Sequence, residues 1–512
     1  MQTPFYRQLL FKNPAYVYAL LLILFMTGWH LILAGRVNLS VDEAHYALYG
    51  LKLDWSYFDH PPMVGWLNAI ATHFSHSDFG LRVIPIVFFA LSNFVLYHLA
   101  CRLYPSFAWV GFWTLALINL AFMFQLLATS MLPDTPLMLA SLMVVWQLLN
   151  LRDATEKRLP TLRYWLWLGF WIGIAGLSKY TSVILVISLV LVVLLERRWQ
   201  WLTDKGLWLA IVLAGLMITP VIYWNAKHDW ISFLYQLHHG TYNPDWSWIR
   251  VLETQLAQLA LYTPILYLLG LWLMLTAWLS HSPANKLLSA FALPTILLFA
   301  MNSGHEMSLP HWTQLAWLLI APAVAFWLGR HWSSTLLRWS VYGFGTLSLA
   351  FAIVLNTQLF SPWLHVKSKD NPVRELHGWH QAIEAAKVLQ KQHHNAPLFA
   401  ANWTQASRIG WYAYPQPVYV TDNRFDQFDL WFGNPKPGSN GIVILPSYEG
   451  NTLTLNQPGH FKTCQLERTL PIKIQGNRIV SYRLFFCTSF EQPIYSGWVT
   501  QLPQLKNLSR QH

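Results

Sequence analysis

About eleven apolar stretches punctuate the chain, at 14–35, 81–100, 107–127, 136–150, 164–177, 181–195, 207–224, 256–279, 287–301, 312–328 and 335–357. They approach the length a helix needs to cross about 30 Å of hydrocarbon, and several are short and joined through Pro or Gly. After residue 360 the pattern changes. Residues 377–390 alternate as an amphipathic helix does, 397–401 and 417–420 as short strands, 441–445 as a buried strand and 478–487 as a longer one. The chain therefore divides into a polytopic α-helical membrane part, 1–359, and a C-terminal α/β domain, 360–512.

Composition agrees with this division. Charged residues are 11 % of the 512 and hydrophobic residues 54 %, which excludes an ordinary soluble enzyme. The 29 Trp and 22 Tyr suit rings anchored at membrane interfaces. Residues 360–512 hold 24 of the 57 charges, as a water-facing domain should. The first apolar run is longer than a signal-peptide core and has no small-residue cleavage pattern, so it is expected to stay as an anchor.

The formal charge of +11 sorts by side rather than by patch. With the N-terminus cytoplasmic, the inner segments carry 13 Lys and Arg and a net +9, while the outer loops carry six and a net −4. An odd number of spans then puts 360–512, at +6, outside the cytoplasm. In a bacterium that means the inner membrane with a periplasmic domain. Its two cysteines, Cys464 and Cys487, would be free to pair in that oxidising compartment. The bases are scattered, so nucleic acid is not an expected partner.

The first outer loop, 36–80, concentrates acids. Ser40 and Glu43 have capping-box spacing and predict a short helix, which gives Glu43 a structural role as a cap and Asp42 one as a first-turn acid. On that helix Asp42, His45, Tyr46 and Tyr49 share one face, an arrangement that also suits a polar site. Asp59-His60 follows, stiffened by Pro61 and Pro62, and is placed to hold a phosphate or, through Asp59, a divalent metal ion. The alternative is an interfacial loop with aromatic anchors. Asp134, Lys179, Tyr180, His305 and His311 lie at helix ends on the same predicted side. Lysine at a helix end can simply snorkel to water. Acids and bases converging on one membrane face otherwise predict a cavity for an anionic amphiphile.

No Walker loop, dinucleotide glycine fingerprint, paired Cys-x-x-Cys or His-Glu-x-x-His occurs, and the inner loops are too short to hold a nucleotide sugar. A lipid-linked donor is the expectation. A flippase of lipid-linked sugars would use a similar cavity but calls for mid-membrane polar groups or half-repeats, which are not seen. A ligase using polyprenyl diphosphate donors remains an alternative.

Asp42-Glu-Ala-His-Tyr46, Asp54-Trp-Ser-Tyr-Phe-Asp-His-Pro-Pro-Met63, Leu132-Pro-Asp-Thr-Pro136, Leu177-Ser-Lys-Tyr180, Pro220-Val-Ile-Tyr-Trp-Asn225 and Pro310-His-Trp312 run through most of the membrane part. In these segments the chain resembles the GT-C membrane glycosyltransferases, in the bacterial branch of the dolichyl-phosphate-mannose protein mannosyltransferase superfamily that includes the aminoarabinose transferases of lipid A. The resemblance implies a polyprenyl-phosphate sugar donor, a lipid or glycan acceptor outside the cytoplasm, and an inverting single displacement. It implies Asp42 as catalytic base with Glu43 supporting it, Lys179 on the donor phosphate and Tyr46 lining the pocket. His45 stands where the aminoarabinose branch has Arg, and Asp59-His60 where it has Glu-Lys. A divalent metal stays open, as do the sugar and the acceptor.

Overall fold

The computed structural model describes residues 13–238, 245–364, 366, 371, 373–449, 461–491, 495 and 498–502. The helices come first: α1 (Pro14–Ala34), α2 (Val41–Leu51), α3 (Met63–Phe74), α4 (Asp78–Leu103), α5 (Val110–Leu120), α6 (Phe122–Thr129), α7 (Asp134–Glu156), α8 (Leu162–Ser178) and α9 (Val183–Leu195). Then follow α10 (Lys205–Lys227), α11 (Ile231–His238), α12 (Trp248–Leu261), α13 (Pro264–Thr276), α14 (Pro283–Asn302), α15 (Gln314–Arg330) and α16 (Thr335–Phe360). Among the described residues seven helices are long and apolar enough to cross a membrane, and two bent pairs raise the number to nine. The remaining two predicted spans fall on α8 and α9, of 17 and 13 residues, which are short for independent crossings. The protein is a multi-pass membrane protein.

Helices suit this setting because each satisfies its own backbone, and Pro85, Pro220, Pro294 and Pro322 are accommodated inside them. The bends have local causes. At Ala121 the backbone turns extended and α5 meets α6 at 80°. At Thr263 a positive φ of 69° before Pro264 sets α12 and α13 at 118°. Polar side chains stitch the bundle: Asn119 donates to Asn93 at 2.7 Å, Gln125 to the Asn119 carbonyl at 2.9 Å, and Asn356 of α16 to Gln125 at 2.7 Å.

The C-terminal unit has α17 (Trp379–Gln392), α18 (Trp403–Ala413) and α19 (Gln427–Phe432) against a five-stranded sheet of order β2-β1-β3-β5-β4. Its strands are β1 (Leu398–Ala400), β2 (Val418–Val420), β3 (Gly441–Pro446), β4 (Phe461–Ile474) and β5 (Asn477–Phe490). The first three are parallel and the β3-β5-β4 side is antiparallel. Cys464 and Cys487 face each other across β4 and β5 and form a disulfide. β4 was not expected from the pattern, because this edge strand is mostly exposed and carries Lys, Glu, Arg and Pro471, as edges protected against aggregation do.

Candidate active site

Helix α2 forms because Ser40 closes a capping box with Glu43: the Glu43 N–H donates to Ser40 Oγ, and the Ser40 N–H to Glu43 Oε2 at 3.0 Å. Both Glu43 oxygens are also engaged by Arg82 of α4, at 2.7 and 3.0 Å in a buried pair. Arg82 further donates to the carbonyls of Ala34, Val37 and Asn38. Burial would push the Glu43 carboxyl up, but the guanidinium holds it below its ordinary value. Glu43 thus braces the loop, and its neighbour Asp42 faces the other way.

Asp42 is half-buried and has no hydrogen-bond or ion-pair partner among the described residues. Burial raises its carboxyl to about 6, against the pull of His60, and Asp59 adds to the rise while Arg408 and Lys179 oppose it. His45, one turn on, is buried between Ser407 of α18 (Nδ1 to Oγ, 3.0 Å) and the Tyr49 hydroxyl (Nε2 to Oη, 3.1 Å). Burial lowers it to about 4, so the imidazole is neutral at pH 7. Tyr46 reaches His60 Nδ1 at 3.3 Å, and the same nitrogen lies 3.2 Å from Asp59 Oδ2. Tyr49 donates to the other Asp59 oxygen. Burial pushes Asp59 up, but His60 and Tyr49 outweigh it and hold the carboxyl below the usual range.

Lys179, at the end of α8, is buried on both oxygens of Asp134 at 2.8 and 3.0 Å. His311 and His60 are close enough to act on the Asp134 charge. The Tyr180 hydroxyl lies 3.4 Å from Ser56 Oγ, and its ring packs on Phe233. His305 sits in the turn after α14, where Ser247 N–H and Arg250 hold the neighbouring Gly304 carbonyl. It is not among the groups that dominate the electrostatics of Asp42 or Asp134.

Asp59 commits its oxygens to His60 and Tyr49, and no group of three or more His, Cys, Asp or Glu among the described residues could hold a metal ion. The donor set around Asp59 does not fit a divalent site.

The Pro220-to-Asn225 segment anchors the loop. Trp224 Nε1 donates to Asp54 at 2.8 Å, Asn225 accepts from the Ser232 N–H at 3.1 Å, and Ser232 Oγ donates to the Tyr57 carbonyl at 2.7 Å. Below it, α8, α9 and α10 enclose an apolar groove of about 770 Å³ running from Tyr180 and Phe233 to Trp199 and Trp201. Its upper end is lined by Tyr180, the residue after Lys179.

The C-terminal unit closes the site from the other side. The Phe58 N–H donates to Gln427 at 2.7 Å, Trp403 and Phe428 pack on the His45 ring, and Arg424 donates to the Tyr235 hydroxyl at 3.3 Å. Arg424 acts on the charges of Asp59 and His45. Sequence reasoning missed Ser407, Arg408, Arg424 and Tyr235, for which no local pattern gives a signal.

Residues 59–224 match the family model described as dolichyl-phosphate-mannose-protein mannosyltransferase. The lipid A galacturonosyltransferase RgtD of Rhizobium johnstonii is 24 % identical over 356 residues, covering 67 % of this chain and 72 % of that protein. The lipopolysaccharide core galacturonosyltransferase RgtA of the same organism is 24 % identical over 191 residues, 36 % of this chain and 37 % of its own. ArnT from Cupriavidus metallidurans bound to undecaprenyl phosphate has a similar fold, with a TM-score of 0.56 at 14 % identity over 91 % of this chain and 97 % of that one. Part of its sequence is thus similar to the dolichyl-phosphate-mannose-protein mannosyltransferase family and most of it to a lipid A glycosyltransferase, and its fold is similar to that of ArnT.

Proposed function

We propose that the protein transfers a sugar from a polyprenyl-phosphate donor to a lipid A or lipopolysaccharide-type acceptor at the outer face of the inner membrane, by inverting displacement with Asp42 as base. The observation that carries this is the Asp42 carboxylate. It is half-buried, partnerless among the described residues and raised to about 6, and Lys179, which acts on its charge, is followed in sequence by Tyr180 at the end of the apolar groove. A base held near the working pH accepts a proton better than an ordinary aspartate.

In the reaction the acceptor oxygen attacks the anomeric carbon while its proton passes to Asp42. The bond from that carbon to the phosphate oxygen breaks, and the polyprenyl phosphate leaves with the electron pair. Lys179 has three N–H directions, two turned to Asp134, which leaves one for the departing oxygen. His45 adds no charge there, since burial keeps it neutral. The Tyr46 hydroxyl on His60 and the Arg424 guanidinium, which acts on Asp59, are further polar groups of the site. The groove of α8, α9 and α10 suits the isoprenoid chain, in keeping with the undecaprenyl phosphate bound to the similarly folded ArnT. The excess of Lys and Arg on the opposite loops supports a cytoplasmic N-terminus and an extracytoplasmic C-terminal unit.

The test is a transfer assay with purified full-length protein, polyprenyl-phosphate sugars and lipid A or core acceptors. Asp42→Asn is expected to fold and to lose turnover by about 100-fold or more. Full turnover in that variant removes Asp42 from the base role.

A further inference from the structure

A second cavity lies at the other end of the bundle. It has a volume of about 580 Å³ and is bounded by Arg152, Glu156, Glu196, Arg197, Arg198, Lys286 and His281 over an apolar floor of Val192, Leu195, Leu287 and Ala290. Arg152 is 18 positions after Asp134 on α7, about 27 Å along the helix axis, so this cavity and the Asp42 site face opposite membrane boundaries.

Its charges do not cancel. Glu196 pairs with Arg152 and Arg198, and Glu156 with Arg198. Arg197 and Lys286 are exposed at the rim and have no ion-pair partner among the described residues. Arg152 Nε is buried without a hydrogen-bond partner, an expensive arrangement unless something else accepts from it. Arg197 also holds a left-handed backbone, φ 53°, at the end of α9, where glycine or asparagine is favoured.

We propose that this cavity binds a phosphate ester, and that its occupant is the head group of an anionic membrane lipid. The chemistry matches on three counts. Two uncommitted cations and the open Arg152 N–H suit a phosphodiester, the apolar floor suits the glyceride portion, and a basic pocket between membrane helices at the interface is where such head groups bind. The exposed Trp199, at the near end of the apolar groove, gives adjacent acyl chains an interfacial contact.

The test uses delipidated full-length protein in neutral detergent, with lipid binding read by native mass spectrometry and thermal protection by a melting assay. Phosphatidylglycerol, phosphatidylcholine and inorganic phosphate are added separately. Phosphatidylglycerol is expected to bind saturably and to protect. The variant combining Arg197→Gln and Lys286→Gln is expected to lose roughly 30-fold in affinity. Both side chains are exposed and unpaired, so the variant should elute and transfer sugar as the parent does. Lys157→Gln, an exposed cation of the same membrane end that does not line the cavity, should leave binding unchanged. Equal binding of phosphatidylcholine, unchanged affinity in the double variant, or an equal loss in Lys157→Gln overturns the site. Equal protection by inorganic phosphate overturns the lipid as its occupant.

Discussion

Asp42 and His45 stand one turn apart on the same helix, and burial moves them in opposite directions: the carboxyl up to about 6, the imidazole down to about 4. Both shifts disfavour charge, yet only one leaves a useful base at neutral pH. If Asp42 takes the acceptor proton, kcat/KM should fall about tenfold per pH unit below about 6, and Asp42→Asn should show no such limb in its residual rate. The sign for stability is the reverse of an ordinary ion pair. Between about pH 4 and 6 the unfolded chain has released the Asp42 proton and the folded protein still holds it, so ionisation costs the folded state as pH rises. Asp42→Asn should therefore melt no lower than the parent at pH 7.5, and its advantage should shrink toward pH 4. A lower melting temperature at neutral pH would mean that the carboxylate is structurally supported after all. The shared face of Asp42, His45, Tyr46 and Tyr49 is readable from helical spacing alone. The partners that set their charge states are not: Ser407 and Arg424 are more than 350 positions away, and burial is a property of the assembled site.

At the scale of elements, α2 is held by two contacts of different kinds. Its cap is written locally in Ser40 and Glu43, whereas the Arg82 guanidinium that engages the same carboxylate comes from the start of α4. Removing one member of such a buried pair leaves the other uncompensated, so Arg82→Met should cost about 3–5 kcal/mol. Adding Glu43→Gln should recover only part, because Arg82 also satisfies three backbone carbonyls. Full recovery in a melting assay would show those carbonyls to be satisfied otherwise. The second contact is steric. A Cβ on Gly50 would stand 2.6 Å from the Asn68 carbonyl carbon and 2.7 Å from the Ala69 nitrogen, where backbone cannot yield as a flexible side chain does. Gly50→Ala should separate α2 from α3, cost about 1–3 kcal/mol and loosen the Asn68 hydrogen bond to the Tyr46 carbonyl. An unchanged melting temperature would contradict that close approach. The span pattern shows less at this scale. The hydrophobic run at 107–127 contains no Pro or Gly at Ala121 to announce an 80° bend, and α8 and α9, of 17 and 13 residues, are as short for a crossing as the runs 164–177 and 181–195 that predicted them.

Across the whole molecule, the α/β unit packs on the loop at 36–80 rather than hanging from the last span. Its class was legible, since the strands β1, β2, β3 and β5 and the helix α17 follow the hydrophobic pattern, but its docking was not, because the contacts join residues that no periodicity connects. Gln427 takes the Phe58 N–H, Ser407 takes His45, and Asp78 at the head of α4 accepts from Trp411 Nε1 at 2.9 Å and from the Tyr412 hydroxyl at 2.8 Å. Tyr412 in turn accepts from the Leu39 N–H at 2.9 Å, one residue before the cap of α2. The Asp78 carboxylate therefore ties the docked unit to the loop that carries Asp42 without belonging to the reacting groups. Hydrogen bonds to an ionised acceptor contribute about 1.5–3 kcal/mol each, so Asp78→Ala should weaken the docking by several kcal/mol while leaving both units folded. Limited proteolysis should then cleave between α16 and α17 faster than in the parent, far-UV circular dichroism should be unchanged, and transfer should fall several-fold because Arg424 and Gln427 are no longer held against the loop. Wild-type proteolysis with wild-type transfer would show that the interface is held by its apolar contacts, Leu48 against Gly410 and Phe428 against His45, and that Asp78 contributes little to it.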